Sequence, residues 1–211
     1  MTKTQSISNI LKMKHEYFEF EAPWSKAFGN NPSDTGIWLV WGREKNGKST
    51  FALMLAKYLS TKKKVLYVSG EEGLAKEFVD TMIRAGITSK DKQLGFLEYE
   101  SLEDIKELLR KRNAPKIVFF DNLTVYKDEF RGNVYSELKR EFPNVLFIFL
   151  AHEDRNEPSP ATARTASKLA KVIVHIKGLK ANVYGRVVGG EYTINTERAE
   201  LYWGQNDVLD E

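Results

Sequence analysis

Eight consecutive residues have the types and the spacing that phosphate chemistry demands. Gly42, Arg43, Glu44, Lys45, Asn46, Gly47, Lys48 and Ser49 run as Gly-x-x-x-x-Gly-Lys-Ser. In that pattern a glycine-rich turn lets successive backbone N–H groups converge on phosphate oxygens at the start of a helix, where the helix dipole adds positive charge. Lys48 is then placed to reach the β- and γ-phosphates, the Ser49 hydroxyl to ligate Mg2+, and Thr50 to hold the α-phosphate. The spacing predicts a cradle for the triphosphate of ATP.

Two acidic segments supply what such a cradle lacks. Lys116-Ile-Val-Phe-Phe-Asp121 is an apolar run ending on a carboxylate, which predicts Asp121 as the second protein support for Mg2+. Val65-Leu-Tyr-Val-Ser-Gly-Glu-Glu-Gly73 puts Glu71 and Glu72 just past another apolar run. A carboxylate there can orient or deprotonate the water that attacks a γ-phosphate, and Glu71 is the candidate for that role. The competing reading is that the pair caps the next helix, since acids favour that end.

These residues need elements to position them, and the hydrophobic pattern provides an alternation of apolar runs and helical segments. Strands are predicted at 37–41, 65–69, 96–99, 117–120 and 145–150, with helices at 48–60, 74–85, about 101–112 and 131–141. Ser101 with Asp104 reads as the box that opens the third helix. The segment 152–166 reads as a polar loop, and 172–176, 181–187 and 192–195 as short antiparallel strands closing the sheet. The whole predicts an α/β domain with a mostly parallel central sheet flanked by helices.

The composition allows one domain and removes some chemistries. The 211 residues include 42% hydrophobic and 29% charged residues, ordinary for a globular chain. Without cysteine there are no disulfides and no thiolate metal sites. No apolar run approaches the ~20 residues of a membrane span, and the start lacks a signal-like stretch, so a cytoplasmic location is expected. The net charge of +3 is too mild to argue nucleic-acid binding by itself.

In their order, the strand with its phosphate loop, the strand ending Ser-Gly-Glu-Glu and the strand ending on Asp121 resemble the RecA-like ATPases, in the branch holding RecA, RadA, KaiC and the DnaB replicative helicases. The resemblance covers roughly residues 37–187, and Val68-Ser-Gly-Glu-Glu72 is especially similar to the RadA and KaiC versions. It implies that Glu71 is the catalytic base. It also implies a γ-phosphate sensor at His152, where family members more often carry Gln. The chain is further similar to small uncharacterised ATPases of bacterial mobile elements and phages. Trp24, Asn46-Gly47-Lys48, Glu71-Glu72-Gly73 and the late Gly185-Arg186 followed by Gly189-Gly190 carry that likeness.

Members of the family act as rings or filaments in which a neighbour donates a cation to the ATP site. The matching candidates are Arg186 first, then Lys177, then Lys180. The family's DNA-contacting loops match 122–134, with Tyr126, Lys127 and Arg131, and 153–168, with Arg155, Arg164 and Lys168. The second, rich in Pro, Ser, Thr and Ala, is expected to be a mobile loop, and Tyr126 is the one stacking platform on offer. Glu153, Asp154 and Glu157 dilute the positive charge. The expected organisation is a lead-in at 1–36, an ATPase domain at 37–205 and an acidic tail at 206–211. The aromatic lead-in either packs on its own domain or docks on a neighbour through residues 5–12. The expectation is a Mg2+-dependent, homo-oligomeric ATPase acting on single-stranded DNA in replication or recombination, with no membrane partner. The alternatives are a KaiC-like protein-assembly switch and a P-loop small-molecule kinase, the latter weakened by the missing arginine-rich lid.

Overall fold

β-Branched and aromatic side chains dominate the apolar runs, and they form strands buried on both faces, as parallel strands between helices must be. A computed structural model describes residues 4–13 and 16–206; the predicted tail beyond 206 lies outside the described residues. In chain order the elements begin with α1 (Ile7–Leu11), α2 (Trp24–Phe28), β1 (Gly36–Gly42), α3 (Lys48–Ser60), β2 (Val65–Ser69) and α4 (Lys76–Arg84). They continue with β3 (Leu94–Leu97), α5 (Leu102–Leu109), β4 (Ile117–Asp121), α6 (Val134–Glu141), β5 (Leu146–Asp154) and β6 (Glu157–Ser159). The chain closes with α7 (Ala161–Leu169), β7 (Val172–Lys177), β8 (Lys180–Gly185), β9 (Gly190–Thr193) and α8 (Thr196–Asn206).

The strands form one sheet in the order β3-β2-β4-β5-β1-β7-β8-β9, with β6 paired to β5. The pairings from β3 through to β7 are parallel, and those of β8, β9 and β6 are antiparallel. Alternation along β1 sends Trp38 and Val40 to one face and Ile37, Leu39 and Trp41 to the other. The first face buries them against Phe51 and Leu55 of α3, and the second face carries Phe149, Tyr126 and Ala163. Each such fully buried apolar side chain contributes about 1.5–3 kcal/mol of transfer free energy.

Three expectations need correction. The run at 172–176 is not an antiparallel closing strand on both sides: β7 lies parallel to β1, and only its outer neighbour β8 runs the other way. The segment 153–168 is not a mobile loop, because β5 extends to Asp154, turns into β6 and leads to α7, whose Ala163 and Ala166 are buried. Small residues let α7 lie close on the sheet, and a composition of Ala, Thr and Ser hid the helix. The C-terminal helix α8 falls where no element was predicted.

The aromatic lead-in belongs to the core. Phe18, Phe20, Trp24 and Phe28 are buried, and Trp24 stacks on Tyr192 of β9 at 4.3 Å between ring centroids. The residues of α1, by contrast, leave Ile7, Ile10 and Leu11 exposed. Ser101 caps α5, its Oγ accepting the Asp104 N–H at 3.2 Å. No helix among the described residues is long and apolar enough to cross a membrane.

Candidate functional site

The phosphate loop joins the carboxyl end of β1 to α3. A side chain at Gly42 would collide with the carbonyl oxygen of Ile176 on the adjacent strand β7, and its φ of +155° lies at the edge of the range L residues avoid. Only glycine therefore lets the loop leave the sheet so close to its neighbour. Asn46 then ties the loop down: its Oδ1 accepts the Gly178 N–H at 2.8 Å and its Nδ2 donates to the Glu44 carbonyl at 3.0 Å. Arg43 leans outward, donating to Glu153 at 3.1 Å and to Asn156.

Lys48 is buried, with Nζ donating to the Arg43 carbonyl at 2.9 Å. Burial lowers its pKa, against the carboxylates of Asp121, Glu44, Glu71 and Glu153, which raise it. An ammonium held on a carbonyl of its own loop, with no carboxylate in direct contact among the described residues, favours an incoming anion. The helix that follows has no side-chain N-cap, so its first N–H groups are free to meet the same anion.

Parallel pairing of β2 with β4 sets Ser69 opposite Asp121, and the N–H groups of Gly70 and Glu71 both donate to the Asp121 carbonyl. Glu71 is thereby fixed beside Asp121. The Asp121 carboxyl is buried and accepts the Tyr67 hydroxyl at 2.6 Å. Burial pushes its pKa up to about 6; Tyr67 opposes this, and the nearby Glu71 and Glu72 add to it. From the other side, β5 pairs with β1 so that His152 stands opposite Gly42. His152 Nε2 lies 3.4 Å from Glu71 Oε2. The hydrogen bond and charge offered by His152, helped by Lys48, hold the Glu71 carboxyl below its ordinary value despite partial burial.

Asn122, which the sequence reading passed over, joins this group. The Thr124 N–H donates to its Oδ1 at 2.7 Å, which fixes the amide's orientation and turns Nδ2 toward Glu71 Oε2 and His152 Nε2. The sequence shows only a polar residue directly after the Asp121 strand; its burial is supplied by the fold.

A second bracket holds the loop's outer side. His175 on β7 stacks on Trp41 at 4.1 Å and contacts Glu153 at 2.9 Å. Burial works against the charge of Glu153, yet His175 and Arg43 together keep its carboxyl below the ordinary value.

The remaining sequence-predicted residues are scattered. Lys177 stands at the end of β7, next to the loop, with Nζ 5.6 Å from the Trp203 ring of α8; Lys180 flanks the same ring and pairs with Glu191. Arg186 does not join them. It follows the far end of β8, where its N–H donates to Lys171, at the opposite edge of the sheet from the phosphate loop. Tyr126 is no stacking platform, being fully buried against Phe120 and Phe130 with its hydroxyl on the Glu100 carbonyl. Lys127, Arg131, Arg155, Arg164 and Lys168 are exposed; Arg131 pairs with Asp128, and Arg164 lies 3.9 Å from Glu157.

No family model matches the chain, and no curated protein matches it. Among solved structures the chain is similar to the flagellar accessory protein FlaH from Methanocaldococcus jannaschii, at a TM-score of 0.60 and 17% identity over 85% of this chain and 92% of that one. At such an identity the likeness is one of architecture. The fold is RecA-like. Ligands of open α/β sheets bind outside the carboxyl ends of the strands. Gly42, Glu71, Asp121 and His152 all stand at that edge.

The donor set suits Mg2+. The Ser49 hydroxyl and the Asp121 carboxylate are hard oxygen donors, one at the start of α3 and the other at the end of β4. No three His, Asp or Glu side chains converge to form a cage among the described residues.

Proposed function

We propose that this chain is a Mg2+-dependent ATPase of the RecA/KaiC type. The observation that carries the reading is the convergence of Glu71, Asn122 and His152 beside Asp121 and Lys48 at one edge of the sheet. Lys48 and the first N–H groups of α3, from Lys48 through Thr50, bind the phosphates. Ser49 and Asp121 would hold Mg2+, which when bound neutralises phosphate charge. Asn122 and His152 orient Glu71, whose ionised carboxylate accepts a proton from the attacking water. His152 stands where γ-phosphate contact would reposition Glu71. Each of these groups acts before or during a single displacement that needs positioning and charge more than covalent chemistry.

The domain at 37–205 is the catalytic unit in this reading, working in the cytoplasm as a homo-oligomer. The exposed Ile7, Ile10 and Leu11 support assembly through residues 5–12. Lys177 now stands first as the cation offered to a neighbouring site, Lys180, which faces it across the turn and pairs with Glu191, second, and Arg186, at the far end of β8, last. Single-stranded DNA is the proposed partner, contacted through Lys127, Arg131, Arg155, Arg164 and Lys168. A KaiC-like assembly switch without DNA is the second reading; the burial of Tyr126 and the acids at 153, 154 and 157 favour it.

ATP hydrolysis measured with and without single-stranded DNA, beside light scattering, separates the two. The DNA reading expects salt-sensitive stimulation of several-fold together with assembly under ATP. Assembly without any stimulation would favour the switch, and a strict monomer under every condition would remove the trans-acting lysine.

A further inference from the structure

The phosphate loop opens into a cleft of about 520 Å3 whose walls the hydrolytic cluster does not use. From the loop residues 47–50 its lining continues to Thr81 and Arg84 on α4 and to Leu179 and Arg198 on the other side. Glu71, Asp121 and His152 are not part of that lining. The cleft therefore runs away from the end of the site where a γ-phosphate must meet Glu71. Past Thr50 the cleft extends between side chains of α4 and α8.

Two arginines face this space from opposite walls. Arg84, in the last turn of α4, is exposed and donates to the Thr81 hydroxyl at 2.7 Å. Arg198, in the first turn of α8, is exposed, with its backbone N–H capped by Asn195 Oδ1 at 2.9 Å. Neither guanidinium forms an ion pair among the described residues, although the Glu72 carboxylate lines the same cleft. Among the described residues the lining includes no aromatic side chain. A planar guanidinium stacks on an aromatic ring and is weakly hydrated, so it is the group here able to cover the face of a base.

We propose that Arg84 and Arg198 grip the nucleoside half of the bound nucleotide, Arg84 from α4 and Arg198 from α8, with Leu179 as the apolar contact beside them. The inference rests on the phosphate-site reading above and adds to it the residues that recognise the sugar and base. It also gives α8 a role, since the helix that carries Arg198 is held at the loop by Tyr202, which packs against Gly178.

The test is calorimetric binding of two probes in Mg2+, the non-hydrolysable analogue AMP-PNP and inorganic tripolyphosphate, to wild type, R84Q, R198Q and K48A. Both arginines are exposed, and a thermal melt of each variant checks that the fold is intact. The expected result is a roughly tenfold loss of AMP-PNP affinity in R84Q and in R198Q, with tripolyphosphate binding unchanged, while K48A weakens both probes. Wild-type affinity for AMP-PNP in both arginine variants overturns the proposal. So does an equal loss of both probes, which would make the arginines phosphate ligands. Failure of wild type to bind either probe would instead sink the phosphate-site reading, and this inference with it.

Discussion

Asp121 is costly to the fold in the charged form that its proposed role requires. Its carboxyl is buried, with a pKa pushed up to about 6, against 3.8 for a free Asp. The native state therefore holds a proton that the unfolded chain releases between pH 4 and 6. Stability from this group is fully present below about pH 4 and is lost as the pH rises through 6, a change on the order of 3 kcal/mol. Without metal, Asp121→Asn should melt above wild type at pH 8, with the difference vanishing near pH 4. A variant less stable than wild type at pH 8 would contradict the burial account. At the residue scale the candidates Lys48, Ser49, Asp121 and Glu71 were legible through their spacing after apolar runs. Asn122 was not, because an amide that orients a carboxylate through a neighbouring strand has no linear pattern. Arg84 and Arg198 were silent for the same reason: surface arginines on helices are common, and only the closed fold brings them to one cleft.

The elements were most legible where burial on both faces imposes continuous apolar runs, as in β1, β2, β4 and β5. They were least legible where packing uses small or mixed residues. In α7 the buried positions are alanines, and α8 carries only a weak apolar stripe. The latter helix is held by geometry that glycine permits. Gly178 sits at φ +53°, and a side chain there would collide with the Tyr202 ring. Gly178→Ala should lower stability by about 1–3 kcal/mol, combining left-handed strain with the displaced ring. Limited proteolysis should then cut at Arg198 faster than in wild type. Unchanged melting and unchanged cleavage would show that α8 does not depend on this contact.

For the whole molecule, the order β3-β2-β4-β5-β1-β7 decides what the site contains. It sets the strands bearing Glu71, Asp121, His152 and Gly42 side by side, so four residues far apart in sequence share one edge. The parallel class of the sheet was readable from the alternation of runs and helices. The parallel pairing of β7 was not, since a short strand followed by a tight turn and another strand reads as a hairpin on both sides. The position of Arg186 was hidden by the same gap: with β7 parallel to β1, the antiparallel β8 carries it to the far edge. The central claim, a water-activating Glu71 beside a phosphate cradle, is tested most directly by the rate of Mg2+-ATP hydrolysis in Glu71→Gln, with ATP affinity measured on the same sample. The account predicts hydrolysis reduced at least a hundredfold with affinity within about threefold of wild type. Hydrolysis at the wild-type rate would contradict it.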